Sequence, residues 1–492
     1  MLNQSETQTS ASTVAAARQP VGMTGSAGEW VNDIHSQLNS TRVYQVKHPV
    51  GLTCLQKAIR QAHRDKRSVC IAAGYNAMGG QQFGNGSLLL DMNRLNGLIE
   101  FDRDRGLIEV EAGMQWPALI HLLQATQSRD QVPWSIRQKQ TGGDRMSIGG
   151  TLAANAHGRG LDFKPIVDDV ESFTLLDANA RVHHCSRTRN PELFRLAIGG
   201  YGLFGLITSV TLRLVPRRRL RRIVEIVDAD ALPGRFRERI EAGFLYGDFQ
   251  FCTDPGSERF LREGVFSCYH PVAGDTPETA PQKTLSGQDW LNLIRLAHTD
   301  KGRAYERYSR YYLSTSGQLY ESDTHQLSTY IDDYHKALGD HIGVQQHGTE
   351  MITEIYVPRD RLSEFLQDVR DDFRRHDVDL IYGTIRLIRR DEETFLAWAK
   401  ADYACVIFNL HTQHDRTALQ KTQLDFRRLI DCGIRYGGSY YLTYHRWASR
   451  EQVEACYPQF PDFLRWKKAL DPEERFQNDW YRHYREMFAG RV

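Results

Sequence analysis

The chain has 492 residues, 41% hydrophobic and 25% charged, and its 62 basic and 61 acidic side chains leave a formal charge of +1. That length accommodates two or three domains with full cores, and near-neutrality provides no overall field to attract nucleic acid. No apolar window approaches the ~20 residues a membrane span needs, so neither nucleic acid nor integral membrane association is expected.

The opening stretch, MLNQSETQTSASTVAAARQPVGMTGSAG, is rich in Ser, Thr, Ala and Gly and lacks the apolar core of a secretory signal. Residues 1–36 read as a mobile tail; a transit peptide has only Arg18 to support it. The eight cysteines (54, 70, 185, 252, 268, 405, 432 and 456) contain no C-x-x-C. They point to reduced, mostly core thiols in a cytoplasmic protein rather than a disulfide scaffold or zinc ribbon.

From about residue 42 the pattern becomes regular. VGLTCLQKAIRQAHRDK places Leu55, Ile59 and Ala62 on one helical face, and SVCIAAG is a short buried strand ending in glycine. LIEFDRDRGLIEVEAG alternates around DRDRG as a hairpin, and WPALIHLLQAT is a helix with Pro117 in its first turn. SFTLLDANARVHHCS is a second hairpin, NPELFRLAIGG a helix opening on Asn190-Pro191, and LITSVTLRLVP a long strand. Strands, hairpins and helices intermix without regular alternation, which predicts an α+β fold. After Pro216, RRRLRR marks a boundary; it is either an anion site or a solvated strand end. Beyond it FLYGDFQF, GVFSCYH, TEIYVP and YACVIFNLH predict a second, antiparallel sheet domain. Residues 272–330 are polar and loop-rich, a candidate mobile segment or lid, and the C-terminal stretch is helical with a Asp-Pro break.

Several motifs mislead. GYGLFG matches G-x-G-x-x-G, but a helix precedes it and a strand follows, the reverse of a dinucleotide fingerprint. His411 and His414 could form a metal pair, yet no HExxH or carboxylate triad accompanies them in sequence, so no metal is expected. Neither a G-x-S-x-G elbow nor a G-x-x-x-x-G-K-[ST] loop occurs.

Three small-residue segments remain: AAGYNAMGGQ, GGDRMSIGGTLAANAHGRG and IGGYGLFG. They offer unobstructed backbone N–H groups suited to a pyrophosphate or flat cofactor edge, or they are simply three tight turns. Their order, with LLLDM, IGGTLAANAHG, ELFRLAIGGYGLFG and the tail segments GGSYYLTYHRWASREQ and DPEERFQNDW, resembles FAD-linked oxidoreductases of the vanillyl-alcohol-oxidase type. Within that family the likeness is closest to the decaprenylphosphoryl-ribose oxidases and more distant to sugar-lactone and alditol oxidases.

The resemblance implies a two-part PCMH-type FAD-binding domain over 37–216, a substrate (cap) domain with an antiparallel sheet covered by helices over 217–445, and a helical return to the FAD domain over 446–492. It places FAD on Ala73, Gly74, Tyr75, Asn76, Ala77, Met78, Gly79, Gly80 and Gln81. Further FAD contacts fall on Thr141, Gly142, Asp144, Ser147, Ile148, Gly149, Gly150, Leu152, Ala153, Asn155, His157 and Gly158, then Gly202, Gly205, Ile207 and Tyr444. Relatives with covalent flavin carry a histidine where this chain has Asn76, so FAD is expected to be held non-covalently.

The implied reaction is oxidation of a C–OH group of a sugar, polyol or sugar-like metabolite by hydride transfer to flavin N5, with oxygen or another acceptor re-oxidising the flavin. Alternatives are reduction of a carbon–carbon double bond with NAD(P)H, or a catalytically silent FAD-binding protein. By motif, Cys405 falls at a pocket cysteine, and Arg386 at the arginine of an E-x-R pair whose glutamate position holds Thr384. Tyr444 stands where relatives carry a lysine. His445 or Tyr444, ahead of His157, are the expected acid–base groups.

Overall fold

A computed structural model describes residues 28–127, 132–278, 281–329 and 348–491. Most of the tail expected over 1–36 lies outside these residues. Its last part contains strand β1 (Glu29–Val31), paired antiparallel with β2 (Thr41–Val43).

The first half of the chain forms two sheets. β3 (Gln45–Lys47), β4 (Val69–Ala72) and β5 (Leu88–Asp91) make a parallel sheet with β5 central, and α1 (Leu52–Arg64) crosses between the first two strands. The helical spacing of Leu55, Ala58, Ile59 and Ala62 buries one face of α1 against Val69, Leu88 and Leu90. The hairpin β6 (Leu98–Asp102)–β7 (Leu107–Glu111) follows, then α2 (Trp116–Thr126), β8 (Trp134–Ser135) and the short helix α3 (Ile148–Ala154). A second hairpin, β9 (Val170–Leu176)–β10 (Val182–Ser186), leads through α4 (Pro191–Ala197) to β11 (Leu206–Arg213) and β12 (Val215–Pro216). These complete an antiparallel sheet of order β10-β9-β11-β7-β6. Pro191 opens α4 as its spacing predicts, although the left-handed Asn190 makes no side-chain cap bond.

The second half builds an eight-stranded antiparallel sheet. Its elements are β13 (Arg219–Asp228), α5 (Leu232–Glu241), β14 (Tyr246–Phe251), β15 (Glu263–Val272), α6 (Gly287–Thr299), α7 (Lys301–Ser314), β16 (Leu319–Glu321) and β17 (Gly348–Pro358). Next come α8 (Leu362–Arg375), β18 (Leu380–Ile388), β19 (Tyr403–Gln413), α9 (Arg416–Arg435) and β20 (Ser439–Tyr440). The strand order is β16-β13-β15-β14-β18-β19-β17-β20. The long strands β17 and β19 are buried almost throughout, because the sheet is covered on both faces. The segment expected to be a loop-rich lid instead contains α6 and α7. Ser286 and Asp289 form a capping box on α6, and Tyr308 stacks near Tyr312 at 4.3 Å on α7. The helical period there is carried by tyrosines and long polar side chains, so low hydrophobicity conceals it.

The chain then returns to its first half through α10 (Arg450–Cys456), α11 (Phe460–Leu470) and α12 (Asp479–Met487). Phe476 bridges to β4, and the Asn478 amide donates to the Gln81 and Tyr201 carbonyls at 2.7 and 3.0 Å while its oxygen caps α12. Seven of the eight cysteines are buried and all are free thiols. Among the described residues no helix is long and apolar enough to cross a membrane.

Candidate active site

The three small-residue segments converge on one cavity. Its walls are the turn after β4 (Ala72 to Met78, with Gln81), the exposed face of α3 (Ser147, Gly149, Gly150, Ala153), the segment Tyr201–Gly205 with Ile207, and Tyr441, Thr443 and Tyr444 after β20. Backbone approach explains the composition. A Cβ on Gly74 would strike the Arg145 carbonyl, and one on Gly149 would lie 2.9 Å from the Ala112 methyl. Gly202 has φ +73°, which favours glycine. Asn76 donates to the Gly74 carbonyl at 2.8 Å and tightens its own turn.

Not every expected FAD contact faces this cavity. Ile148 and Leu152 point from the opposite face of α3 into the core below β11 and β7. Gly79 and Gly80 pack behind the turn, against Thr443 and Arg446. Asp144 instead pairs with the buried Lys139 ammonium and accepts from Ser328 N–H. Asn155, left-handed at the end of α3, docks the cap: its amide donates to Asp391 at 2.9 Å and its carbonyl accepts from Trp398. Thr141, Gly142, His157 and Gly158 also lie off the lining, whereas Gln82, Gln140, Met146 and Tyr201, which the sequence reading did not single out, lie on it.

Beyond the cavity, the cap sheet supplies a buried polar cluster. Across the regular register, Thr384 opposes Ile407 and Ile407 opposes Glu354; Arg386 opposes Cys405 and Cys405 opposes Tyr356. Directly paired residues share a face, so all six project to the same side. There His157 meets them: its Nε2 lies 2.8 Å from Glu354 Oε1, its Nδ1 3.1 Å from the Gly158 carbonyl, and its ring packs on Trp398. Tyr356 donates to the other Glu354 oxygen at 3.2 Å. Glu354, 0% exposed, was missed at the level of sequence; its signal was a carboxylate between Ile352 and Ile355 in a strand that already carries Glu350.

The structure parts Tyr444 from His445. Tyr444 lines the cavity, and the charges of Glu354 and Arg386 act on its hydroxyl. His445 instead sits on the other face of β17, where its Nε2 meets Thr353 Oγ1 at 3.2 Å and its ring lies among Phe426, Tyr440 and Trp447. Burial lowers its pKa to about 3, so it is a neutral packing residue. His445 thus lies apart from Tyr444 and off the cavity lining, away from where its expected acid–base role would put it. Burial, then the Glu354 charge, push the Tyr444 phenol well above the usual range, which favours its protonated form. Burial likewise holds Cys405 as a thiol, with the Glu354 charge adding to the effect.

The residues fit a bound FAD. Gln81 Oε1, Thr384 Oγ1 and the Arg386 Nε and Nη1 are buried without hydrogen-bond partners among the described residues, at the cavity or in the cluster beside it. Such orphaned groups cost about 1–3 kcal/mol each unless something bonds them.

A two-part small-residue cradle under a sheet cap is similar to that of FAD-linked oxidoreductases of the vanillyl-alcohol-oxidase type. Residues 48–186 match the family described as FAD binding domain, and residues 269–484 match D-arabinono-1,4-lactone oxidase. FAD is therefore its cofactor. Among curated proteins, it is 29% identical over 196 residues to an uncharacterized oxidoreductase of the fasciation locus of Rhodococcoides fascians, covering 39% of this chain and 41% of that protein. It is also 29% identical over 196 residues to the mitochondrial L-galactono-1,4-lactone dehydrogenase of Arabidopsis thaliana, covering 38% and 30%. Both matches span less than half of the relative's length. A longer match, 24% identical over 400 residues, covers 80% of this chain and 85% of the L-gulono-1,4-lactone dehydrogenase of Mycobacterium tuberculosis. The last two relatives are named for sugar lactones.

Proposed function

We propose that this protein is an FAD-dependent oxidoreductase that oxidises a C–OH group of a sugar lactone or a closely related polyhydroxylated compound. The observation that carries the reading is the buried Arg386–Glu354–His157–Tyr444 cluster beside a cavity lined by all three small-residue segments. When bound, FAD supplies the two-electron acceptor that takes hydride from the alcohol carbon.

The chain's own residues supply the rest. His157 Nδ1 and Nε2 face a carbonyl and a carboxylate oxygen, so the imidazole and Glu354 form one hydrogen-bonded pair. That pair receives the substrate hydroxyl proton. Arg386 is a fixed cation whose Nε and Nη1 have no partner among the described residues and are available to a substrate oxygen or to developing negative charge. Tyr444 orients the substrate by donating a hydrogen bond. Glu354 also stands in register with Thr384 two strands away, so a carboxylate returns to the level at which the E-x-R pair lacks one. The Asn76 amide cannot form the covalent flavin bond, so FAD is held without one, and eight free thiols suit a reducing compartment.

The test is an anaerobic titration of the purified yellow protein with L-gulono-, L-galactono- and D-arabinono-1,4-lactones, following loss of flavin absorbance. Bleaching by at least one lactone, and release of FAD by acid, are expected. A protein that cannot be loaded with FAD, or one bleached by NAD(P)H and by no alcohol, would overturn the reading.

A further inference from the structure

A second titratable cluster lies on the same sheet face, away from the flavin cavity. Glu350 opposes His411 across β17 and β19, and α6 lays His298 over the pair. Glu350 precedes Glu354 by four residues, which sets the two carboxylates about 13 Å apart along the strand. The sequence dismissed His411 as a ligand because no carboxylate accompanied it nearby. Tertiary pairing brings both the carboxylate and a second imidazole to it.

The geometry is that of a coordination site. His298 Nε2 is 3.1 Å and His411 Nδ1 3.4 Å from Glu350 Oε1, and the ligand atoms of all three residues lie within 4.8 Å of one another. Tetrahedral zinc with ligands at about 2.0–2.1 Å separates adjacent donors by about 3.3 Å. The His298 side chain is only 7% exposed, and its Nε2, despite its closeness to Glu350, has no hydrogen bond among the described residues. The nitrogen is near the carboxylate but not aligned to donate to it, as expected of a lone pair shared with a common cation. The rings of His298 and His411 cross at 89° with centroids 5.0 Å apart, so they do not stack over the space between their nitrogens. The other three-residue cluster, His157, Glu354 and Cys405, offers less: its imidazole and carboxylate are already bonded to each other at 2.8 Å.

We propose that His298, Glu350 and His411 bind a divalent zinc-type cation, with water in a fourth position. Two neutral imidazoles and one carboxylate suit borderline ions such as Zn²⁺ and leave the site open on one side. The ion ties α6 to strands β17 and β19 of the cap sheet, a staple that the sparse apolar contacts of α6 do not provide; Leu296 is its one buried residue. This proposal does not depend on the flavin chemistry.

The test uses full-length, FAD-loaded protein without a polyhistidine tag, stripped with chelator and titrated with ZnCl₂ by calorimetry. One Zn²⁺ per chain is expected, with affinity reduced at least about 100-fold in both His298→Ala and His411→Ala while FAD content stays unchanged. Failure of wild-type protein to bind Zn²⁺, or wild-type affinity in both variants, would overturn it. Should the variants not fold, zinc K-edge absorption on wild-type protein decides: two imidazoles and an oxygen support the site. A sulfur neighbour at about 2.3 Å would place the ion at Cys405 instead and sink the proposal.

Discussion

At the scale of single residues, proton chemistry divides along strand β17. Glu354 faces the flavin side with His157, whereas Thr353, one position earlier, faces the helices with His445. Because successive side chains alternate, neighbours in sequence serve opposite purposes. Glu354→Gln should slow flavin reduction by about 10²- to 10⁴-fold in stopped flow, the range of a lost general base. Tyr444→Phe should cost about tenfold, since only a hydrogen bond is lost. Equal effects from both would contradict the assigned roles. His445 gives a stability prediction instead. Its folded pKa of about 3 lies below the unfolded value of 6.5, so its contribution is complete above pH 6.5. It is lost as pH falls toward 3, because the unfolded chain takes up a proton that the folded one refuses. His445→Gln should flatten the fall of denaturant-derived stability over that window by up to about 1.4 kcal/mol per pH unit, and leave flavin reduction near the wild-type rate. An unchanged slope would show that the imidazole is not held neutral.

At the scale of elements, the turn after β4, helix α3 and the return before α12 make one cradle. Glycines in it are not equivalent. Gly74 has the Arg145 carbonyl where a Cβ would go, while Gly142, at φ +78°, has nothing within 4 Å. Gly74→Ala should therefore lose bound FAD, measured by absorbance after gel filtration. Gly142→Ala should retain it, with a cost of about 1–2 kcal/mol from the left-handed backbone alone. FAD loss in both would return Gly142 to the binding site. Asn478 ties the last helix to Gln81 and Tyr201, which both line the cavity. We expect Asn478→Ala to destabilise the protein by about 1–3 kcal/mol, since it leaves two buried carbonyls and a helix end unsatisfied. It should weaken FAD binding as well, and a chemical-denaturation curve identical to wild type would refute that coupling.

At the scale of the whole molecule, the cavity is lined by segments from residue 71 to residue 444, so a bound FAD should brace both halves. With no covalent bond, the melting temperature must rise with added FAD, by the equivalent of about 2.7 kcal/mol at one hundred times the dissociation constant. A melting temperature indifferent to free FAD, with flavin remaining on the acid-precipitated chain, would mean that Asn76 does not mark a non-covalent site.

Much of this was legible in the residues themselves. Helix α1, both hairpins and the long strands declare themselves by period, because their buried faces are apolar and local. The small-residue segments declare the cradle, because only minimal side chains permit the backbone to come so close. What sequence could not show was partnership. Glu354 joins His157 from 197 residues away, and Glu350 joins His411 across 61; neither spacing carries a signal. Tyr444 and His445 looked interchangeable as a pair, and only the sheet, by placing one on each face, decided which of them meets the flavin side. Composition and periodicity thus determined the elements, since those depend on local backbone needs, and the family resemblance carried by the small-residue segments pointed to the cofactor cradle. The proton-bearing pair and the second histidine cluster were decided by strand register, which is set only when the whole sheet assembles.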